Sequence, residues 1–112
     1  MPSYPAVLPA ALYPGNSISL VADASADANV TTTEEFALTP VGSNGGCTLM
    51  ITNTTNQQAV GEYAPTDVAG EYMPLSGCIV PAGSVLPYNI SGGWMRFTFV
   101  TAPTSGSLIV SR

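Results

Sequence analysis

Apolar and polar residues alternate with a period of two along most of the chain after residue 15, which is the pattern of half-buried β-strands. The clearest segment is residues 94–101, WMRFTFVT, with Met95, Phe97 and Phe99 on one face and Trp94, Arg96, Thr98 and Val100 on the other. Residues 47–52 alternate as cleanly, with Cys47, Leu49 and Ile51 on one side. Further strands are predicted over residues 16–22, 30–39, 57–63, 68–75 and 107–111, with short extended pieces around a turn within 79–90.

Turn-forming residues separate these segments and decide between fold classes. Loops rich in Gly, Pro, Asn and Asp occupy residues 23–29, 40–46, 53–56 and 102–106. One helical alternative stays open at Thr32–Leu38, because a threonine followed by two glutamates resembles a helix start. About seven short strands with turn signals roughly every 8–12 residues predict an all-β fold. We expect a small antiparallel β-sandwich or jelly-roll-like barrel over residues 16–112.

Residues 1–15 form a separate segment, in which four prolines exclude a helix and favour an extended path. The segment is too apolar for a purely solvated tail, since it also contains Tyr4, Val7, Leu8, Leu12 and Tyr13. Two alternatives follow: a flexible terminus, or an extended N-terminal arm that lies across its own domain or a neighbouring subunit. On the second alternative, these five residues are candidate contacts.

The low charge and acidic balance of the chain exclude some classes of partner. Charged residues make up 8% of the sequence, against roughly 25% in ordinary soluble domains, and the net charge is −5. A surface so poor in charge favours association, because little repulsion keeps copies apart. No nucleic-acid partner is expected, because that requires a basic footprint, and anionic membrane surfaces are disfavoured for the same reason.

The first residues predict no secretory signal, because they lack a basic region and are broken by prolines. No run of about 18 apolar residues occurs, so no membrane span is expected. We therefore expect a chain that is made in a cytoplasm and leaves it only as part of a larger particle.

The missing residue types argue against catalysis. The chain contains no histidine and no lysine, and its basic residues are Arg96 and Arg112. Histidine is the usual general base near neutral pH, and lysine is a common nucleophile and phosphate partner. Gly42–Gly46 is glycine-rich but lacks the lysine of a phosphate-binding loop. We therefore expect an assembly or binding protein rather than an enzyme, without catalytic residues, cofactor or metal.

Two groupings of acidic residues are the remaining candidates for a metal site or for acid–base catalysis. Asp23, Asp27 and Asn29 share a loop that lacks the close, alternating oxygen ligands and glycine turn of a calcium site, so a solvated loop is expected. Glu34 and Glu35 would point to opposite faces of a strand and could not act together as an acid–base pair. Neither grouping predicts a metal site or a catalytic acid–base pair.

The two cysteines, Cys47 and Cys78, leave two alternatives open, because their spacing does not show whether they are bonded. Cys47 alternates with Leu49 and Ile51, which favours buried free thiols that act as small apolar side chains. A disulfide between them is the other alternative.

Aromatic residues and one arginine are the remaining surface candidates. A sugar-stacking platform is one use of four aromatic residues, although such residues more often anchor cores and interfaces; they are Trp94, Tyr63, Tyr72 and Tyr88. Arg96 shares the Trp94 face of its strand and is the one internal cation. We expect it to pair, within a subunit or across an interface, with Glu62, Asp67 or Glu71.

Residues 75–112, LSGCIVPAGSVLPYNISGGWMRFTFVTAPTSGSLIVSR, resemble the small decoration (cement) proteins of tailed-bacteriophage heads. An apolar piece with a Pro-Ala-Gly turn leads into a Gly-Gly-Trp strand, and a hairpin then closes with a short hydrophobic strand. The extended arm and the lysine-free, β-rich body are similar in kind. The pattern covers about a third of the chain, and the rest is similar only in character.

The resemblance implies a structural virion protein that assembles as a homotrimer at symmetry axes of a capsid. Such a protein binds the major capsid protein after the shell expands and bridges neighbouring capsomers, where several copies multiply weak contacts. The resemblance places the chain on the capsid surface after synthesis in the host cytoplasm. Candidate capsid or subunit contacts are then Tyr4, Val7, Leu8, Leu12, Tyr13, Trp94 and Arg96.

Two other classes compete with this interpretation. A head-fibre, tail or adhesin module would bind host glycans or another virion protein through exposed aromatic residues. A β-sandwich enzyme is the third class, and the missing histidine and lysine disfavour it.

Overall fold

The alternating segments form strands in two sheets that enclose one core. The structure, a computed structural model, describes residues 3–4, 11–12, 15–26, 29, 31–38 and 46–112. In this part of the chain one 3₁₀ turn, Ala69–Glu71, is present, and no helix is long and apolar enough to cross a membrane. The strands are β1 (Ser3–Tyr4), β2 (Ala11–Leu12), β3 (Ser17–Val21), β4 (Thr32–Thr33), β5 (Phe36–Leu38), β6 (Gly46–Asn53), β7 (Ala59–Ala64), β8 (Met73–Val80), β9 (Ser84–Ser91), β10 (Trp94–Phe99) and β11 (Leu108–Ser111).

The strand order is that of a jelly roll. In the seven-stranded sheet, β10 has β7 and then β8 on one side and has β4 and β5 on the other. The four-stranded sheet has the order β3–β11–β6–β9 and is antiparallel throughout. When β4 and β5 are counted as one interrupted strand, the main strands are distributed between two sheets as in an eight-stranded jelly roll. The predicted all-β antiparallel sandwich is confirmed.

The core is formed by the inward-facing residues of the alternating strands. Met95 and Phe97 of β10 are fully buried, as the alternation predicts, and Phe97 stacks on Phe36 with ring centroids 6.5 Å apart. Each large apolar side chain buried in this way contributes about 1.5–3 kcal/mol. The opposite sheet closes the core with Leu49 and Ile51 of β6 and with Leu108 and Val110 of β11.

The two described strands of the N-terminal arm belong to the chain's own seven-stranded sheet. β1 pairs in parallel with β4, and β2 pairs in parallel with β5. Leu12 of β2 is fully buried in the core. Arg112 Nη1 donates a hydrogen bond of 2.7 Å to the Leu12 carbonyl, and Gly15 N–H donates one of 3.1 Å to the Arg112 carbonyl. The arm is therefore fixed to the domain at β2 and at Gly15.

Residues 32–38 form two short strands rather than the helical alternative. β4 pairs with β10 at Thr98, β5 pairs with it at Trp94 and Met95, and the ladder is broken between them. Near the break, the buried Thr33 hydroxyl accepts a hydrogen bond of 2.9 Å from the Phe97 N–H. A side chain thus takes the place of a backbone acceptor, which satisfies a buried donor.

The strand boundaries between residues 65 and 91 differ most from the expectation. The predicted strand over residues 68–75 is wrong for residues 68–72, which include the 3₁₀ turn, and is confirmed only for residues 73–75 at the start of β8. Pro65, Asp67 and Gly70 favour turns in this stretch. β9 runs unbroken through Pro87, although the prolines predict shorter pieces. β9 is an edge strand of the four-stranded sheet. It tolerates proline, because some backbone N–H groups of an edge strand point away from the sheet and form no hydrogen bond to a neighbouring strand.

Cys78 is a buried free thiol, so the disulfide alternative is wrong. Burial raises the pKa of Cys78 to about 11, which keeps the thiol protonated near neutral pH. Its Sγ lies against Gly61 of β7, where any side chain would overlap it. The side chain of Cys47 lies outside what the structure describes.

Candidate functional site

The outward face of the seven-stranded sheet carries an ionic pair at Arg96. Strands β7 and β10 are antiparallel neighbours, and their register places Arg96 directly opposite Glu62. Arg96 Nε donates a hydrogen bond of 2.7 Å to Glu62 Oε1, and the two side chains are only 20% and 15% exposed. The predicted pair is confirmed within one subunit, with Glu62 as the partner.

Two further residues contact Arg96, and neither is among the partners predicted for it from the sequence. Glu35 Oε2 lies 3.9 Å from Arg96 Nη1, at the break between β4 and β5. The Arg96 guanidinium also lies over the Tyr72 ring, 4.4 Å from its centroid, in a cation–π contact. Strand alternation gives no signal for either residue, because both lie outside regular strands.

Tyr72 connects this group to the loop between β7 and β8. This residue is buried, and its hydroxyl donates a hydrogen bond of 2.9 Å to Asp67 Oδ1. Burial first, and then this hydrogen bond, raise the pKa of Tyr72 far above its usual value, so the phenol remains a donor. We refer to Glu35, Glu62, Asp67, Tyr72 and Arg96 as the Arg96 cluster.

The polar groups of the Arg96 cluster bond mainly to one another. Three carboxylates face one guanidinium and one phenol, so the cluster keeps an excess of negative charge. The raised pKa of Tyr72 keeps its phenol protonated near neutral pH. Among the described residues, no group of three or more His, Cys, Asp or Glu side chains could hold a metal ion. The cluster therefore forms an acidic patch.

The four aromatic residues considered for a sugar platform do not share a surface, so that interpretation is wrong. Tyr63 is opposite Met95 in register, which puts it on the other side of the sheet from Arg96, and its ring lies against Gly93. The Tyr72 ring is covered by Arg96. Tyr88 lies in β9 of the other sheet and packs against the core. Trp94 alone of these four is half-buried on the outward face that bears Arg96.

The Asp23 loop forms a local turn. Asp23 Oδ1 accepts hydrogen bonds from the Ser25 hydroxyl at 2.6 Å and from the Ser25 N–H at 3.0 Å. These bonds lower the pKa of Asp23. Asp27 and residues 42–45 lie outside the described residues, and Asn29 is exposed with a positive φ of 69°. The described part of this loop thus holds a solvent-exposed Asx turn.

The outward face of the four-stranded sheet differs in chemistry, because none of its described side chains is charged. We term it the neutral face. The register gives it four apolar residues, Met50, Val85, Pro87 and Ile109, of which Met50 is 42% and Val85 is 52% exposed. Its small polar residues are Ser17, Ser19, Thr48, Thr52, Asn89 and Ser111.

The predicted contact residues lie in different places. Leu12 is buried in the chain's own core, so its side chain has no surface to offer a partner in this conformation. Trp94 and Arg96 lie together on the outward face of the seven-stranded sheet. Tyr4 lies in β1, but its side chain is outside the described part of the chain. The predicted contacts at Val7, Leu8 and Tyr13 also fall outside the described residues.

Comparisons with known proteins give this chain no family. No family model, no curated protein and no solved structure matches it. The molecule is therefore defined by its own geometry, as a small jelly-roll sandwich with one acidic and one neutral outer face.

Proposed function

We propose that this chain is a structural virion protein that binds the outer surface of a phage capsid and stabilises it by bridging capsomers. Its main partner is the major capsid protein. It acts as a homo-oligomer, and the resemblance in residues 75–112 favours a homotrimer. It is made in the host cytoplasm and resides on the capsid surface. It is not an enzyme and uses no cofactor, nucleic acid or membrane.

The observation that carries this proposal is the pair of outer faces with different chemistry. A bridging protein needs one surface for the shell and another for a neighbouring copy, and a two-layered sandwich offers two broad faces. Jelly rolls are common in viral capsid and lectin domains. The fold alone does not define a function, so the two faces are the stronger support.

The Arg96 cluster supports a structural role for the acidic face. Its carboxylates are engaged by Arg96 and Tyr72 within the same chain. The cluster holds β7, β10 and the loop after β7 in one arrangement. Trp94 on the same face is a half-buried aromatic residue, the kind that often anchors a protein interface. We therefore assign Trp94 and Arg96 to the capsid contact.

The test is co-sedimentation of the purified chain with empty capsid shells of the virus that encodes it, prepared before and after expansion. We expect saturable binding to expanded shells and a higher melting temperature of the decorated shells. Trp94→Ala should weaken binding, whereas the exposed loop variant Val100→Ala should not. Failure of the unmodified chain to sediment with either shell would contradict the proposal.

A glycan-binding module of a head fibre, tail or adhesin is the second candidate, and Trp94 favours it. One half-buried indole beside the Arg96–Glu62 pair combines a stacking surface with charged hydrogen-bonding groups. Binding on a glycan array that Trp94→Ala removes and Val100→Ala retains would support this function. An array without signal would contradict the glycan-binding function.

A further inference from the structure

We propose that the neutral face is the surface through which this chain binds a second copy of itself. The biological role of this contact rests on the capsid function proposed above. The contact itself needs no capsid, so it can be tested on the purified chain.

Charge selects this face for self-association. The chain carries a net charge of −5. The acidic residues Glu35 and Glu62 lie on the outward face of the seven-stranded sheet, and Asp67 and Glu71 lie in its β7–β8 connection. Two copies that met through that side would bring like charges together, which opposes binding. If each copy turns its neutral face toward a shared two-fold or three-fold axis, the copies meet with their acidic surfaces apart.

The composition of the neutral face suits a protein contact. Met50 lies between Pro87 and Ser111 in the register of the sheet, and Thr52 lies between Val85 and Ile109. Methionine is enriched in interfaces, and charged residues are depleted from their centres. Covering this face would bury apolar area without desolvating an ion, so its polar cost is limited to hydroxyl and amide groups.

The neutral face is also fixed before binding. The Thr48 hydroxyl donates a hydrogen bond of 2.6 Å to Asn89 Oδ1 across β6 and β9. The eight residues of β6 pair along the full length of β9. A rigid surface loses less conformational freedom on association than a mobile one.

Association by edge-to-edge strand pairing is less favourable at two open edges. The edge strand β9 contains Pro87, and the edge strand β8 contains Pro74 and a left-handed Gly77 with φ of 78°. Proline lacks the N–H that a new ladder would use, and a left-handed glycine bends the strand. These features favour contact through a face over contact through these edges.

The experiment compares two methionines that differ in the face they occupy. Met50→Glu adds a charge to the neutral face, and Met73→Glu adds the same charge to β8 of the seven-stranded sheet, where Met73 is 66% exposed. Sedimentation equilibrium should show an oligomer for the unmodified chain. Met50→Glu should weaken self-association by about tenfold or more, and Met73→Glu should leave it unchanged.

A second matched pair keeps the test independent of any one variant. Val85 of β9 is 52% exposed and Ile79 of β8 is 47% exposed, so both positions admit glutamate in a folded chain. Thermal melting of each variant establishes that it is folded. If Met50→Glu does not fold, Val85→Glu against Ile79→Glu decides the question.

The outcomes separate this proposal from the capsid function. A monomeric wild type, or an oligomer unaffected by glutamate at both Met50 and Val85, overturns the self-association surface. A chain that self-associates through the neutral face but does not bind capsid shells overturns the capsid function and leaves the contact in place.

Discussion

At the scale of single residues, Arg96 is held by three contacts on the outward face of the seven-stranded sheet. It donates to Glu62, lies 3.9 Å from a Glu35 oxygen and covers the Tyr72 ring. Arg96 and Glu62 are both mostly buried, so water cannot fully solvate either charge when the other side chain is removed. A partly buried charge left without its partner costs more than an exposed ion pair contributes.

The first prediction is that Arg96→Met lowers the free energy of unfolding by about 2–4 kcal/mol. The loss arises because Glu62 remains mostly buried without a cation. The double variant Arg96→Met with Glu62→Gln should lose less than the single variant, since it removes both charges. Urea unfolding of the unmodified chain, the single variant and the double variant measures these losses. An unchanged midpoint for Arg96→Met would show that the pair adds nothing to stability.

The close packing of Gly61 gives a second prediction. A Cβ at position 61 would overlap Cys78 Sγ and would lie 3.2 Å from Cys78 Cβ and 3.3 Å from Met95 Cε. Gly61→Ala should therefore destabilise the fold by about 1–3 kcal/mol, because the core is overpacked. Cys78→Ala in the same chain should restore part of the loss. Equal melting temperatures for Gly61→Ala and the unmodified chain would rule out this clash.

The sequence predicts some contacts of Arg96 and not others, for a physical reason. Glu62 could be found because two alternating strands put both residues on outward faces. Glu35 and Tyr72 reach Arg96 from a broken ladder and from a loop. Those positions depend on tertiary packing, which no local periodicity encodes.

At the scale of elements, the arm shows how far a local pattern reaches. Prolines predict an extended segment, and β1 and β2 are extended. Their parallel pairing with β4 and β5 cannot be derived locally, because the partners are separated in sequence and joined by no hairpin signal. The clean alternation of β6 and β10 predicts those strands well. Residues 68–75 mix turn formers with apolar residues, and a strand is therefore predicted where the structure has a 3₁₀ turn.

The third prediction concerns the attachment of the arm. Leu12→Ala should lower the free energy of unfolding by about 2–5 kcal/mol, because Leu12 is fully buried and leaves a cavity. Leu75→Ala is the control, since Leu75 is only partly buried and should cost less. Chemical unfolding compares the two. An equal or smaller loss for Leu12→Ala would mean that the arm does not complete the core in solution.

At the scale of the whole molecule, charge is divided between two sides of one sandwich. The Arg96 cluster lies on the outward side of the seven-stranded sheet, and the neutral face covers the four-stranded sheet. Composition predicts that the surface is poor in charge. It does not predict this division, because that requires knowing which strands share a sheet. The division is what supports an assembly protein with separate surfaces for a neighbouring copy and for a larger particle.

The most direct test of this account is the solution mass of the unmodified chain, measured over a range of protein concentrations at low and high salt. We predict an oligomer that persists or strengthens as salt rises. The contact at the neutral face contains no ion pair, and salt screens the repulsion between chains of net charge −5. A monomer at every concentration, or an oligomer that dissociates as salt rises, would contradict the account.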